Sequence, residues 1–292
     1  MSSTQSPLDE QEVRRPRKLS VAVVVIVAMA VMGVLTYAGW TTMSQGTSGP
    51  PPPTLPTTLF PLGTLSSTEP SGYAPPSATA LAGFAQSYVN DFTVGQLPAG
   101  WYLFHGLPGG DPGGQFGPQH VKIRSGMLQL TAYRDSQYQN RWVTGGLCQC
   151  GAPSLYGAFF VRSRATGVGP NEVQLLWPSN NQWPPEIDFN ESPSAHATSA
   201  TLHWGRQNFI QQWHKHGIDM LAWHTWGVVW TPKKIVYTVD GHAWGITTNA
   251  SAIPSLPMTL DLEQRTECTL HVQCPNAPVQ MLVDWVAEYK MN

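Results

Sequence analysis

The segment WPPEIDFNES (Trp183–Ser192) places three carboxylates, Glu186, Asp188 and Glu191, within six residues of a chain in which only 12% of residues are charged. Like charges repel, so the crowding asks for a reason. Ile187 and Phe189 are apolar and favour strands, and they alternate with Glu186 and Asp188. Successive strand side chains point to opposite faces, so Glu186 and Asp188 share one face and the two apolar residues the other. Strict alternation sends Glu191 to the apolar side. One extra residue in a β-bulge, at Phe189 or Asn190, returns it to the acidic side.

With that bulge, Glu186 and Glu191 stand like i and i+4, about 13 Å apart along the backbone. Leaning together, their carboxyls approach to about 5–6 Å, the spacing of a retaining glycosidase pair and short of the inverting one. Asp188 between them raises the proton affinity of its neighbours, so the three acids form one coupled set. One outer Glu must be ionised to attack an anomeric carbon, and the other must hold a proton for the leaving oxygen. An acidic edge strand facing solvent is the plain alternative. The apolar flanks LLWP (Leu175–Pro178) and ATLHW (Ala200–Trp204) speak against it. Asp188, Asn190 and Ser192 partly fit a calcium loop but lack the Gly and the later Glu. A structural calcium elsewhere stays open without being predicted, and no metal site is assigned.

Outward from this segment, alternation continues. Leu128, Leu130 and Ala132 share a face in MLQLTAY, as do Ile235, Tyr237 and Val239 in IVYTVDG, where Asp240-Gly241 signals a hairpin. Met258, Leu260 and Leu262 face one way in MTLDLEQ, with Thr259, Asp261 and Glu263 opposite. Many short strands with Gly/Pro punctuation predict an all-β sandwich over 81–292. Residues 41–80, rich in Ser, Thr, Gly and Pro, read as an extended linker. Leu19–Trp40 is uncharged and apolar and follows the basic run Arg14, Arg15, Arg17, Lys18. The reading is a transmembrane signal-anchor helix at 19–40, a cytoplasmic tail at 1–18 and an extracellular domain in the cell membrane, single-pass. A cleaved signal peptide is the alternative, and export follows either way. Outside the cell, Cys148, Cys150, Cys268 and Cys274 are disulfide candidates; three connectivities are open, with a close 268–274 loop preferred. A net charge of −2 with no further basic patch argues against nucleic acid as a partner. Twelve Trp suit either a core or sugar stacking.

At these motifs the chain resembles glycoside hydrolase family 16 in its bulged, laminarinase-like form, as a membrane-anchored bacterial member. EIDFNE matches the E-x-D-x-x-E signature. NDF (Asn90–Phe92) with GWY (Gly100–Tyr102) is similar to the opening strand, and SGMLQLTAY (Ser125–Tyr133) and YGAFFVRSR (Tyr156–Arg164) to two more. AWHTWGVVWTPKKIVYTVDG resembles the family's hairpin, and VDWVAEY its closing strand. The resemblance implies a concanavalin-like jelly-roll sandwich with a concave substrate cleft, and a retaining mechanism on a β-linked polysaccharide. By position it implies Glu186 as nucleophile, Asp188 as modulating acid and Glu191 as acid/base. It also implies Trp183 stacking under a sugar and His203 pointing into the cleft. Trp142, Trp177, Trp204 and Gln264 are further substrate-binding candidates. Pro185 before the first Glu, Phe160 in the YGAFFVRSR strand and CQCGAP after Leu147 depart from the family pattern.

The expected function is thus an extracellular retaining endo-glycosidase acting on a β-glucan, for example β-1,3, or a galactan, with no cofactor required. A transglycosylase remodelling a cell-envelope polysaccharide shares the covalent intermediate. A non-catalytic lectin on the same sandwich needs an aromatic groove but not two spaced glutamates.

Overall fold

The computed structural model describes residues 53–292 apart from 110, 112, 193 and 267–273. Two antiparallel sheets pack face to face as a jelly-roll sandwich. The front sheet has seven strands, in the order Phe209–His216, Ala197–Trp204, Glu186–Ser192, Asn171–Pro178, Met258–Arg265, Gly146–Cys148 and Tyr102–Leu103. The nine-stranded rear sheet runs through His242–Thr247, Ile235–Val239, His224–Trp230, Gly157–Ala165, Val279–Met291, Met127–Asp135 and Val121–Arg124. Phe84–Asn90 and Arg141–Val143 pair onto it from the side.

Period-two patterning builds the core. Leu128, Leu130, Ile235, Tyr237, Val239, Met258, Leu260 and Leu262 all join Ile187 and Phe189 between the sheets. Fully burying one such side chain stabilises by roughly 1.5–3 kcal/mol. The last long strand changes parity: its register shifts between Val283 and Trp285. Val283 and Val286 face the sandwich core, whereas Trp285, Ala287 and Tyr289 form a second apolar cluster with Phe160, Val229, Val236 and Ile246.

What covers that second cluster corrects one expectation. The linker was placed at 41–80, yet its described part is ordered against the rear sheet, and the compact unit begins at Pro52. Phe60 packs against the second cluster, and Thr64–Leu65 pairs with Tyr73–Ala74. Phe60 N–H donates to Gly241 O at 2.8 Å, Thr225 Oγ1 to Leu62 O at 2.8 Å, and Trp285 Nε1 to Tyr73 O at 2.8 Å. Buried Arg162 donates to Ser71 Oγ at 2.8 Å and to Ser71 O at 3.2 Å, and stacks 4.4 Å over Tyr73. Gly63 has φ +108 and passes so close to Trp285 and Ala74 O that a Cβ has no room there. Composition misled because this strap is held by its backbone and two aromatic rings, so it needs few apolar residues.

Cys148 and Cys150 form a disulfide. Cys274 is also disulfide-bonded, and Cys268 lies outside the described residues. The same holds for the expected span at 19–40 and tail at 1–18. Among the described residues no helix is long and apolar enough to cross a membrane.

Candidate active site

The strand Glu186–Ser192 lies inside the front sheet with its apolar side fully buried. Its pairing with Ala197–Trp204 sets Glu186 opposite His203, Asp188 opposite Thr201 and Glu191 opposite Ser199. Two residues, Phe189 and Asn190, therefore oppose the single Ala200 between the last two of these pairs. The other neighbour agrees, for Leu175 faces Asp188 while Gln174 faces Asn190. This is the bulge the acid spacing calls for. Beyond it Asn190 turns inward, fully buried, and accepts from Thr198 Oγ1 at 2.6 Å. Glu191 turns outward and accepts from Thr201 Oγ1 at 2.6 Å. All three acids thus share the front face. The partial calcium pattern does not converge: Asp188 faces front, Asn190 faces the core, and Ser192 Oγ donates to Ser194 O and Ala197 O.

Each acid is held differently. The Trp183–Pro184 and Pro184–Pro185 peptides are cis. Trp183, half exposed, donates its indole N–H to Glu186 Oε2 at 2.6 Å. Its ring centroid lies 5.7 Å from that of His203. His203 Nδ1 donates to Asn208 Oδ1 at 2.8 Å, and its Nε2 lies 3.6 Å from Asp188 Oδ2. From the strand on the other side, Arg265 donates to Glu263 at 2.6 Å. Burial, the largest single influence, lowers the proton affinity of Arg265, but Glu263, Asp188 and Glu186 together outweigh it and secure its charge.

Burial is the largest influence on Glu186 and Asp188 and pushes both up. For Glu186 the Trp183 N–H, His203 and Arg265 pull back, against Glu191. Asp188 is raised well above its ordinary range by burial, then by Glu191 and Glu186, and by its hydrogen bond to Glu186. Both are therefore raised, Asp188 the further, and the acids titrate as one coupled set. Asp261, one strand further, is also raised well above its usual value, by burial and then by Glu263.

Of the substrate-binding candidates, Trp183 and His203 meet at the acids. Trp177 stands on the front face, its N–H donating to Asn181 Oδ1 at 3.1 Å. Trp142 sits on a strand paired to the rear sheet, with the Arg134 guanidinium 5.4 Å over its ring. Two candidates face the wrong way. His203 points front, so Trp204 must point in, and it packs against the core and Phe209. Glu263 points front, so Gln264 must point in; it is fully buried and donates to Val279 O of the rear sheet at 3.3 Å. Thr201, Asn208, Gln212, Glu263 and Arg265 were missed as site residues. Parity with His203 was enough to find Thr201, and parity with Asp261 to find Glu263.

The ligand atoms of Glu186, Asp188 and His203 lie within 4.8 Å of one another, as do those of Cys148, Cys150 and Asp261. The two cysteines are bridged and offer no thiolate. In the first group Glu186 and His203 already hold Trp183 and Asn208. Neither set resembles a prepared metal cage.

Residues 113–285 match the model of the family "Glycosyl hydrolases family 16". The endo-1,3-1,4-beta-glycanase ExsH of Rhizobium meliloti (strain 1021) is 28% identical over 158 residues, 49% of this chain and 32% of that protein. The match thus spans about a third of that relative's length. Among solved structures, the laminarinase from Rhodothermus marinus superposes with TM-score 0.65 at 20% identity, covering 72% of this chain and 98% of that one. The catalytic domain of an endo-1,3-beta-glucanase (laminarinase) from Thermotoga petrophila RKU-1 gives 0.61 at 16% identity, covering 72% and 98%. At these identities the likeness establishes the fold.

Proposed function

We propose, on the premise that the chain belongs to glycosyl hydrolase family 16, that it is an extracellular retaining endo-glycosidase of a β-linked polysaccharide. A carboxylate oxygen of Glu186 attacks the anomeric carbon while Glu191 gives its proton to the departing glycosidic oxygen. Glu191 then takes a proton from water as the water oxygen displaces Glu186, so configuration is retained over two inversions. Asp188 carries the proton that keeps the crowded acids from bearing three charges at once. Trp183 serves twice, stacking under a sugar ring and steadying Glu186 through its N–H. These bond and proton changes need no cofactor. The single observation that carries the reading is the bulge, which brings Glu191 round to the face of Glu186 and Asp188.

A β-1,3- or mixed-linkage glucan is the substrate the curated relative and the structural neighbours favour, with galactan next. The uncharged run at 19–40 after a basic cluster supports a membrane tether, with the domain outside the cell. The test is a polysaccharide panel scored for released reducing ends, with NMR of the first-formed anomer. Glu186→Gln abolishes turnover, and the first anomer is β. Wild-type turnover in that variant, or an initial α anomer, defeats the proposal. Products longer than the substrate mean transfer to a sugar, and binding without products means a lectin.

A further inference from the structure

The CQCGAP stretch after Leu147, which departs from the family pattern, has no part in the work of the three acids. Its Cys148 ends a front-sheet strand directly opposite Asp261 and so shares that residue's face. Both sulfurs of the Cys148–Cys150 bridge and a carboxylate oxygen of Asp261 lie within 4.8 Å of one another. The two cysteines differ in access: Cys148 is 2% exposed, whereas Cys150 is open to solvent. Asp261 is buried, and Thr259 Oγ1 donates to it at 3.3 Å. The backbone here is fastened without the bridge. Gln149 N–H donates to Leu260 O at 2.8 Å, and Gly151 N–H to Gly100 O at 2.9 Å. A bridge across one intervening residue also removes little chain entropy. The sulfurs can therefore part while the strand stays in place.

We propose that the Cys148–Cys150 bridge is a site of thiol–disulfide exchange with dithiols, in which Asp261 is the general acid for Cys148. A thiolate of the dithiol attacks Sγ of exposed Cys150 and forms a mixed disulfide as the Cys148–Cys150 bond breaks. The electron pair goes to Sγ of Cys148. A thiolate buried there is poorly solvated and needs a proton, which Asp261 supplies. The second thiolate of the dithiol then attacks its own bound sulfur and frees Cys150, which takes a proton from water. The protein gains two thiols, the dithiol becomes a cyclic disulfide, and solvent reprotonates Asp261. In the reverse direction the Asp261 carboxylate takes the proton of Cys148. Burial, then Glu263, raise Asp261 well above its ordinary range, with Glu186 adding to them and Thr259 and Arg265 opposing. The acid is thus loaded where an ordinary aspartate is not.

The test uses the full chain at neutral pH, with alkylation and peptide mass spectrometry reading Cys148 and Cys150 apart from Cys268 and Cys274. Dithiothreitol opens the bridge in the folded protein. A bridge that opens only after unfolding overturns the proposal. With mercaptoethanol, a monothiol, the mixed disulfide is found on Cys150, and one found on Cys148 overturns the assigned direction of attack. Asp261→Asn slows reduction by dithiothreitol and reoxidation by its cyclic disulfide together, each by at least about tenfold. A group that serves the transition state acts on both directions alike, so the ratio of the two rates stays near that of the wild type. A carboxyl that merely packs against the bridge changes that ratio or leaves both rates alone, and either result overturns the role of Asp261. Thermal melts confirm that the variant is folded. The mercaptoethanol experiment uses the wild-type protein and decides the site whether or not the variant folds. None of these readouts depends on turnover of a polysaccharide.

Discussion

Glu288 is 4% exposed and lies between the sheets. A close polar neighbour among the described residues is the Gln149 amide, which with its nitrogen turned inward donates to the carboxyl. Burial raises its pKa from 4.5 to about 8, with Lys290 opposing. A raised folded pKa means that the folded state holds a proton the unfolded state has already released. Stability from this group is complete below pH 4.5 and is lost as pH rises to about 8. The shift corresponds to at most about 5 kcal/mol, of which about 3–4 kcal/mol falls between pH 5 and 8. Glu288→Gln keeps the shape, keeps a partner for Gln149 and cannot ionise. The variant therefore gains about 2–4 kcal/mol on the wild type across that interval, the lower figure allowing for help from Gln149. For a domain of this size that is a Tm difference growing by about 5–10 °C. Thermal melts of both proteins at pH 5, 6, 7 and 8 measure it, and groups common to both, including Glu186, Asp188 and Asp261, cancel. Melting curves that stay parallel from pH 5 to 8 refute the reasoning.

Three further outcomes are expected. Trp183→Phe keeps a ring for stacking but removes the donor to Glu186. The acid limb of the kcat/KM profile then moves up by about one unit while KM stays within about twofold. Arg162→Leu leaves Ser71 and Asp284 without their charged partner, and urea unfolding shows a loss of about 3–5 kcal/mol. Cys148→Ser with Cys150→Ser opens a very short loop and costs no more than about 1.6 kcal/mol in the same assay, since little chain entropy is released.

How much of this was legible in the sequence depends on what each residue answers to. Ile187, Phe189, Leu260 and Tyr237 obey a local rule, two-residue alternation against a core, and one chain suffices to place them. The bulge was legible because a misplaced acid betrays it. Trp204 and Gln264 were misjudged for want of the same rule: each adjoins a front-facing residue, and parity alone sends it inward. The strap was hidden for another reason. Its partners, Arg162, Thr225, Gly241 and Trp285, are far away in the chain, and its bonds use backbone carbonyls that every sequence possesses. Phe160, where the family pattern often has Glu, marks the other side of that contact. An apolar residue on the outer face of the rear sheet makes sense once something lies over it.

That covering has a practical bearing on proteolysis. A protease that nicks the chain upstream of Pro53 leaves the back of the domain sealed. A nick between Ser66 and Gly72 instead peels away the wrapper and bares Trp285, Tyr289 and Phe160 together. That sticky patch invites clumping. Whether a cut spares or spoils solubility is thus decided within a dozen or so residues of proline-rich chain.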